Sequence, residues 1–522
     1  MRFRTRKHFA LLIRLALDPG RRVTRDALIE LLWPDVPAHH ARHSLAQAVS
    51  VLKGKLGREH LQVQKSTLAL NADVVDTDVA QLDGCDVDIR GTVLEGFDIP
   101  GAAAFEHWKD EWRARLAPRI RDSLVKQMDA GRRIGDFATV ERSAQLLYDL
   151  EPLSEDAVRG LMEARAWAGD RTNALKIYNR FVAALGEDLG AKPSPDLARI
   201  ADLLRDGRSS GLRVRETAAE PRRERRFEAE TLIGREKEFA ALYDNWVEAR
   251  QRRPRVVVLT GDAGIGKTTL TNAFLSSCQM EGAVVARAQA YEAERDLPFA
   301  VLAELVRQLA LQRAIGCADP EVLSELGRIS PAIFEAFPGV PRPIEWAAEV
   351  TPIRLADALL KAVAAAGDET PLILVVDDIH AADNASAAIL HSVTRRLSKT
   401  RVLFILAGRS SELRRSGASF ALTNDSSSGG LGPVELESIS SEAAWKLICR
   451  FLGENSANPS ESPANRILRA GGGNPLAIEL LAREWAAHGP QSLLQDLEAL
   501  DTLPAPNLGI PRAITTVFEK HV

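Results

Sequence analysis

Cysteine is scarce in this 522-residue chain, with only Cys85, Cys278, Cys317 and Cys449. They lie too far apart for any metal-binding or disulfide spacing, which fits a reducing compartment. Long apolar runs are also missing. None approaches the roughly 18 residues that signal a membrane span, and the basic N-terminus lacks a signal-peptide core and cleavage site. A cytoplasmic protein with no membrane partner is therefore expected. Lysine is sparse, 14 residues against 53 arginines, a bias that fits a GC-rich bacterial genome better than any chemistry. There is no strong net charge either: the formal value is −4, with 45% apolar and 26% charged residues, ordinary for globular protein. The charge is nevertheless uneven. Residues 1–60 hold twelve Lys and Arg against five Asp and Glu, a surplus of seven, and five of the ten histidines. A local polyanion contact is expected there. The length predicts three or four domains.

The most informative stretch is Arg255 to Leu270, RVVVLTGDAGIGKTTL. Val256 to Leu259 predict a buried strand. The loop Gly261-Asp262-Ala263-Gly264-Ile265-Gly266 follows, and Lys267-Thr268-Thr269 opens a helix. This is the complete G-x-x-x-x-G-K-[ST] pattern in its strand-to-helix context. Glycines let successive N–H groups turn toward phosphate oxygens, and the helix N-terminus adds partial positive charge. Lys267 is expected on the β/γ-phosphates of ATP or ADP and Thr268 on Mg2+.

In the basic N-terminal segment, His8 to Leu17, Asp26 to Leu32 and Ala38 to Leu56 read as three helices, and Leu61 to Leu70 as a hairpin. Thr24 is a candidate N-cap for the second helix. That order predicts a winged helix whose third helix enters the major groove. Leu45, Val49, Leu52 and Leu56 would face the core. Arg42, Lys53, Lys55 and Lys65 suit phosphates, while His43, Gln47 and Ser50 could reach base edges. The run "LALDPGRRVTRDALIELLWPD…ARHSLAQAVSVLKGKLG" resembles the DNA-binding domain of the SARP group of bacterial transcriptional regulators. Two departures from that group are visible: the small N-terminal sheet that usually precedes the first helix is missing, and Ala46 and Val51 stand where its third helix often carries arginine.

Val93 to Gly101 with Phe105, Trp108 and Trp112 is similar to the lead-in of the bacterial transcriptional activation domain that follows the winged helix in that group. Gly135-Asp136 and Gly169-Asp170 recur 34 residues apart, the tetratricopeptide period, each in the turn of a helix pair. Asp206 to Glu230 is polar and Arg-rich and reads as a linker.

Leu232-Ile-Gly-Arg235-Glu236 resembles the entry of STAND-type ATPases, a branch of the AAA+ class, which implies Arg235 near the nucleotide's base and ribose. Leu372 to Asp377-Asp378 reads as a second buried strand ending in two carboxylates, as a Walker B element requires. Asp377 would hold Mg2+ through water and Asp378 would orient or polarise the attacking water. The continuation DDIHAAD, through Asp383, resembles the signature of MalT-like and large LuxR-like regulators. Arg401 to Arg409 is a third strand, and the resemblance implies that Arg409 senses the γ-phosphate. Ser410 to Val434 reads as a flexible surface loop. Gly471 to Leu476 resembles the GGNPL element of these ATPases, implying Pro475 beside adenine. Ile510 to Val522 resembles the start of a further helical domain, so a truncated chain or an unusually short member is expected.

The resulting expectation is a multidomain chain. It has a winged-helix DNA-binding domain at 1–80, tetratricopeptide-like helical repeats forming an activation domain at 81–205, and a linker at 206–230. An α/β P-loop ATPase core with a parallel sheet follows at 231–425, then a helical lid and the start of another domain at 426–522. The function expected is an ATP-switched transcriptional activator with slow hydrolysis to ADP. Its partners would be promoter duplex DNA at the nucleoid, RNA polymerase, and further copies of itself in the ATP state. The alternative is a STAND signalling ATPase whose winged helix and repeats bind protein.

Overall fold

The computed structural model describes residues 5–57, 59–82, 84, 87–205, 232–343, 351–426, 433–452 and 462–488. The linker read at 206–230 and the segment Ile510 to Val522 lie outside the described residues. The chain forms two compact units: residues 1–131, 137–165 and 172–194, and residues 132–136, 166–171 and 195–522.

The first unit begins with α1 (Arg6–Ala16), β1 (Val23–Thr24), α2 (Arg25–Leu32) and α3 (Ala38–Leu56), then β2 (Leu61–Val63) and β3 (Thr67–Leu70). Thr5 and Thr24 cap α1 and α2, their hydroxyls accepting from the amides of His8 and Ala27. The strands form an antiparallel sheet in the order β1-β3-β2, completing a winged helix. Periodicity could not reveal β1. It has two residues, and only its pairing of Val23 with Leu68 and Thr24 with Thr67 makes it a strand.

Leu11, Leu15, Leu28, Leu32, Leu45 and Leu52 form the winged-helix core. Ile99, Ala102 and Phe105 belong to the same core, although they come from well beyond the hairpin. After the short helix α4 (Asp78–Gln81) the chain runs irregularly to α5 (Ala103–Ile134). Arg113 Nε donates to Val93 O at 2.9 Å, and buried Lys109 donates to Phe97 O at 3.1 Å and to Asp98 at 2.6 Å. These bonds hold the irregular stretch against α5.

Next come α6 (Phe137–Leu150), α7 (Glu155–Trp167) and α8 (Arg171–Leu189). Gly135 and Gly169 take φ +74° and +75° in the turns after α5 and α7. A side chain is strained at that angle, so the glycines mark the two turns of a repeating helix pair.

The second unit opens with α9 (Pro195–Arg205) and α10 (Glu236–Arg250). Then follow β4 (Arg255–Gly261), α11 (Lys267–Met280), β5 (Val284–Gln289), α12 (Ala300–Leu311), α13 (Pro320–Leu326) and α14 (Ala332–Ala336). After these come α15 (Thr351–Glu369), β6 (Leu372–Asp377), α16 (Asn384–Arg396), β7 (Val402–Gly408), α17 (Ser410–Leu413), α18 (Gly417–Ser426) and β8 (Val434–Leu436). The last three described helices are α19 (Ser441–Leu452), α20 (Ser462–Gly471) and α21 (Pro475–His488).

Five strands form a parallel sheet in the order β5-β6-β7-β4-β8. Successive side chains alternate between its faces. Leu374, Val376, Phe404 and Leu406 join the core shared with α12, α13, α15 and α16, while Ile373, Val375, Leu403 and Ile405 join that of α10 and α11. Both faces are therefore covered, which explains why β6 and β7 are apolar at nearly every position. Glu281, just past α11, accepts from Tyr243 at 2.8 Å, Trp246 at 2.9 Å and Arg250 at 2.7 Å, locking α10 to α11.

The surface loop expected over Ser410 to Val434 is corrected at residues 410–426, while residues 427–432 lie outside the described residues. Residues 410–413 and 417–426 are helical, and Leu413 and Leu422 are buried in the sheet core. The small and polar composition of this stretch concealed the two leucines that anchor it.

Because Phe105 lies in the winged-helix core, Phe105→Ala is expected to destabilise that region by about 3–5 kcal/mol. Native-state hydrogen exchange checks this: amides of α3 should lose protection along with those around residue 105. Unchanged protection in α3 would show that its core closes without α5.

Candidate nucleotide site and nucleic-acid face

Parallel strands place their C-terminal ends in a row, and ligands of such sheets bind beyond that edge. Here the row holds Gln289 of β5, Asp377 of β6, Arg409 just after β7 and the loop after β4. The loop residues Gly261 to Gly266 lead into α11, with Gly264 at φ +73° and Gly266 at φ +102°. At that φ a side chain on Gly264 would be strained, and its Cβ would stand a tight 3.0 Å from both Asn474 Oδ1 and Leu476 Cβ, so glycine is favoured there.

Three successive carbonyls of this loop are held from outside it. Ala263 O accepts from Asn474 Nδ2 at 2.9 Å, Gly264 O from the Leu476 amide at 3.3 Å, and Ile265 O from Arg235 Nη2 at 2.9 Å. Fixing these carbonyls fixes the peptide planes whose N–H groups would face phosphate. Arg235 is buried, pairs with Glu238 at 3.0 Å, and has its Nε buried without a partner. Pro475 is half-buried at the first position of α21, directly after the Asn474 contact.

Lys267 lies buried at the start of α11, its Nζ donating to Gly261 O at 2.8 Å and Asp262 O at 2.9 Å. Burial pushes its ammonium below the usual lysine range, opposed by the nearby Asp378 carboxylate. Thr268 Oγ1 donates to Asp377 Oδ2 at 3.3 Å. This pair of hard oxygen ligands fits Mg2+. Thr269 follows on the same helix and is exposed. Asp378 has φ +51°, a strained angle for a side-chain-bearing residue, and such strain is found preferentially at functional positions.

Arg409 and His380 meet on Glu412. Arg409 Nη1 lies 2.9 Å from Glu412 Oε1, and His380 Nε2 lies 2.7 Å from Glu412 Oε2. The Arg409 amide reaches His380 Nδ1 at 3.4 Å, which sets the histidine tautomer with its proton on Nε2. Burial lowers the His380 pKa, against the pull of Glu412 and Asp378. Beside them a cavity of about 540 Å3 is lined by Gln289, Tyr291, Arg295, Asp378, His380 and Arg409, among others. Asp383, the last residue of DDIHAAD, has a structural position. It caps α16 at the Ser386 amide, 2.8 Å away, and accepts from the Phe299 amide at 2.9 Å at the start of α12.

Sequence reasoning missed Arg287, Gln289 and Glu412. The strand VVARAQ offered one signal: an arginine set among alternating small apolar residues must point to the opposite face from them.

In the first unit, Leu45, Val49 and Leu52 are buried, while Arg42, His43, Gln47, Ser50 and Lys55 are exposed along α3 and Lys53 is half-buried. His43 and Gln47 are in contact at 3.0 Å, and Lys65 is exposed in the β2–β3 turn. A basic and amide-rich helix face beside a wing suits groove binding.

Family models match three parts of the chain. Residues 3–66 match "Transcriptional regulatory protein, C terminal", residues 41–205 the bacterial transcriptional activator domain, and residues 231–405 an AAA ATPase domain. The chain has the architecture of a SARP-type regulator joined to an AAA ATPase domain. The regulatory protein AfsR of Streptomyces griseus is 24% identical over 512 residues, covering 92% of this chain and 46% of AfsR. The chain thus spans about half the length of that relative. A structure of Mycobacterium tuberculosis EmbR in complex with a low-affinity phosphopeptide aligns at 19% identity and a TM-score of 0.29, covering 48% of this chain and 66% of that one. An AAA ATPase domain implies use of a nucleotide, typically with Mg2+.

Lys267→Ala is expected to abolish nucleotide binding, read by fluorescence of a labelled ATP analogue; retained affinity would remove the loop after β4 from the site. Asp378→Asn is expected to bind ATP but to cut turnover by about 100-fold or more, the scale of lost general-base action. Unchanged phosphate release would move that role elsewhere.

Proposed function

We propose that this chain is an ATP-switched transcriptional activator: α3 binds promoter duplex DNA, and the nucleotide state controls assembly. The observation that carries this reading is the presence in one chain of an exposed Arg42-His43-Gln47-Ser50-Lys55 face and a Lys267-Thr268-Asp377 constellation. Arg42, Lys53, Lys55 and Lys65 neutralise phosphates, while His43, Gln47 and Ser50 read base edges. The helix pairs α5–α6 and α7–α8 supply a surface for RNA polymerase.

At the nucleotide site, N–H groups of the loop from Gly261 to Gly266 and Lys267 hold the phosphates of ATP or ADP. Arg235 and Pro475 lie toward the base. Thr268 and Asp377 would hold Mg2+, which offsets phosphate charge. Asp378 polarises the attacking water, and Arg409 leaves Glu412 to meet the γ-phosphate. Hydrolysis to ADP then resets a conformational equilibrium, so turnover is slow. Moving such a switch from 1:99 to 99:1 takes about 5.5 kcal/mol of differential binding. In the ATP state copies of the chain associate.

The test is fluorescence anisotropy on duplex fragments from upstream of the gene, at two salt concentrations, with ADP and with an ATP analogue. Selective, nucleotide-dependent binding is expected. Affinity should fall steeply with salt, and Arg42→Ala and Lys55→Ala should each reduce the log–log slope by about 1. One observation favours a second reading, a STAND-type signalling ATPase with a protein-binding winged helix: Ala46 is exposed on α3 and Val51 is half-buried there, where arginine would strengthen a DNA contact. Absence of selective binding in either nucleotide state would decide for it.

A further inference from the structure

β5 and β6 are adjacent parallel strands, with Arg287 level with Val375 and Gln289 level with Asp377. Ala286 and Ala288 fill the core shared with α12, so Arg287 points to the other face, over α11. There its side chain is only 13% exposed. Its Nη2 lies 2.5 Å from Asp377 Oδ2, and its Nη1 donates to Asn272 Oδ1 on α11 at 2.8 Å. The same Asp377 oxygen takes the Thr268 hydroxyl at 3.3 Å, while Oδ1 takes the Asp378 amide at 3.1 Å. Arg287 therefore grips the oxygen at which the two candidate metal ligands meet.

We propose that Arg287 is a built-in competitor of the divalent cation at Asp377. The inference rests on the nucleotide-site reading and adds a regulator to it. A guanidinium keeps its charge at any working pH, so it cancels the carboxylate charge that a hard dication needs. Its two-point hold, Asp377 on one side and Asn272 on the other, keeps it in place without a ligand's help. A cation entering beside Thr268 must displace Arg287 from Asp377 or share the carboxylate with it. A diphosphate can be held by the loop amides and Lys267 alone. A triphosphate brings additional oxygens that recruit the cation, so displacement of Arg287 couples metal entry to the γ-phosphate.

The experiment is Mn2+ titration of the full chain with ADP, followed by electron paramagnetic resonance of free Mn2+, for wild type, Arg287→Gln, Arg287→Lys and Asn272→Ala. Arg287→Gln keeps a hydrogen-bond donor and loses the charge. It should bind Mn2+ about tenfold more tightly, equivalent to about 1.4 kcal/mol. Arg287→Lys keeps the charge and should stay within about threefold of wild type. Asn272→Ala releases one anchor and should tighten Mn2+ about two- to threefold. Unchanged or weaker Mn2+ binding in Arg287→Gln would overturn the proposal and make Arg287 a support for Asp377. ADP affinity in EDTA provides the control. If wild type itself fails to bind ADP there, the nucleotide-site reading has failed. If only Arg287→Gln fails, Asn272→Ala decides: tighter Mn2+ supports the competition, and unchanged Mn2+ overturns it.

Discussion

Ala263, Gly264 and Ile265 are consecutive, and each of their carbonyls is held by a donor from another part of the second unit. Those bonds come from the start of α10 and from the turn before α21. A glycine-rich loop has many accessible backbone states, and ordering it costs about 1–2 kcal/mol per residue in conformational entropy. Here the cost is offset before any ligand arrives, by groups belonging to the strand-flanking helix and to the α19–α21 layer. The Glu281 contacts extend the same fixation by joining α10 to α11. The sheet, its flanking helices and the helical layer therefore converge on one short loop.

The cations at the strand ends already have partners within the protein. Lys267 rests on loop carbonyls, Arg287 on Asp377, and Arg409 on Glu412. Paired charges satisfy the electrostatic demand of partly buried groups, where an unpaired one would be costly. On the proposed reading, a triphosphate with its cation would exchange the Arg287–Asp377 pair for contacts of its own.

Strands β4, β6 and β7 were legible because a parallel sheet covered on both faces leaves nearly continuous apolar runs, and the acid, lysine and arginine residues follow directly at their ends. The third helix, Ala38–Leu56, was legible through the spacing of Leu45, Val49, Leu52 and Leu56. Hidden from the sequence were relations rather than elements. The two-residue β1 exists only through pairing with β3. Leu422 could not announce its buried contact from within a polar stretch. Arg287 became significant only when β5 was placed beside β6, because no local pattern states which strands are neighbours.

Helix α5 carries Phe105 in the winged-helix core near one end and continues through Met128, which is fully buried. At 1.5 Å per residue its 32 residues reach about 48 Å. Phe105 and the first repeating helix thus belong to one continuous element, with Pro118 as the position inside it where a backbone hydrogen bond is lost. The helix acts as an axle. Were α3 to tilt on a bound duplex, Phe105 would pass part of that tilt into α5. On the proposed reading, mechanical load as well as occupancy would then have a path between the winged helix and the repeats.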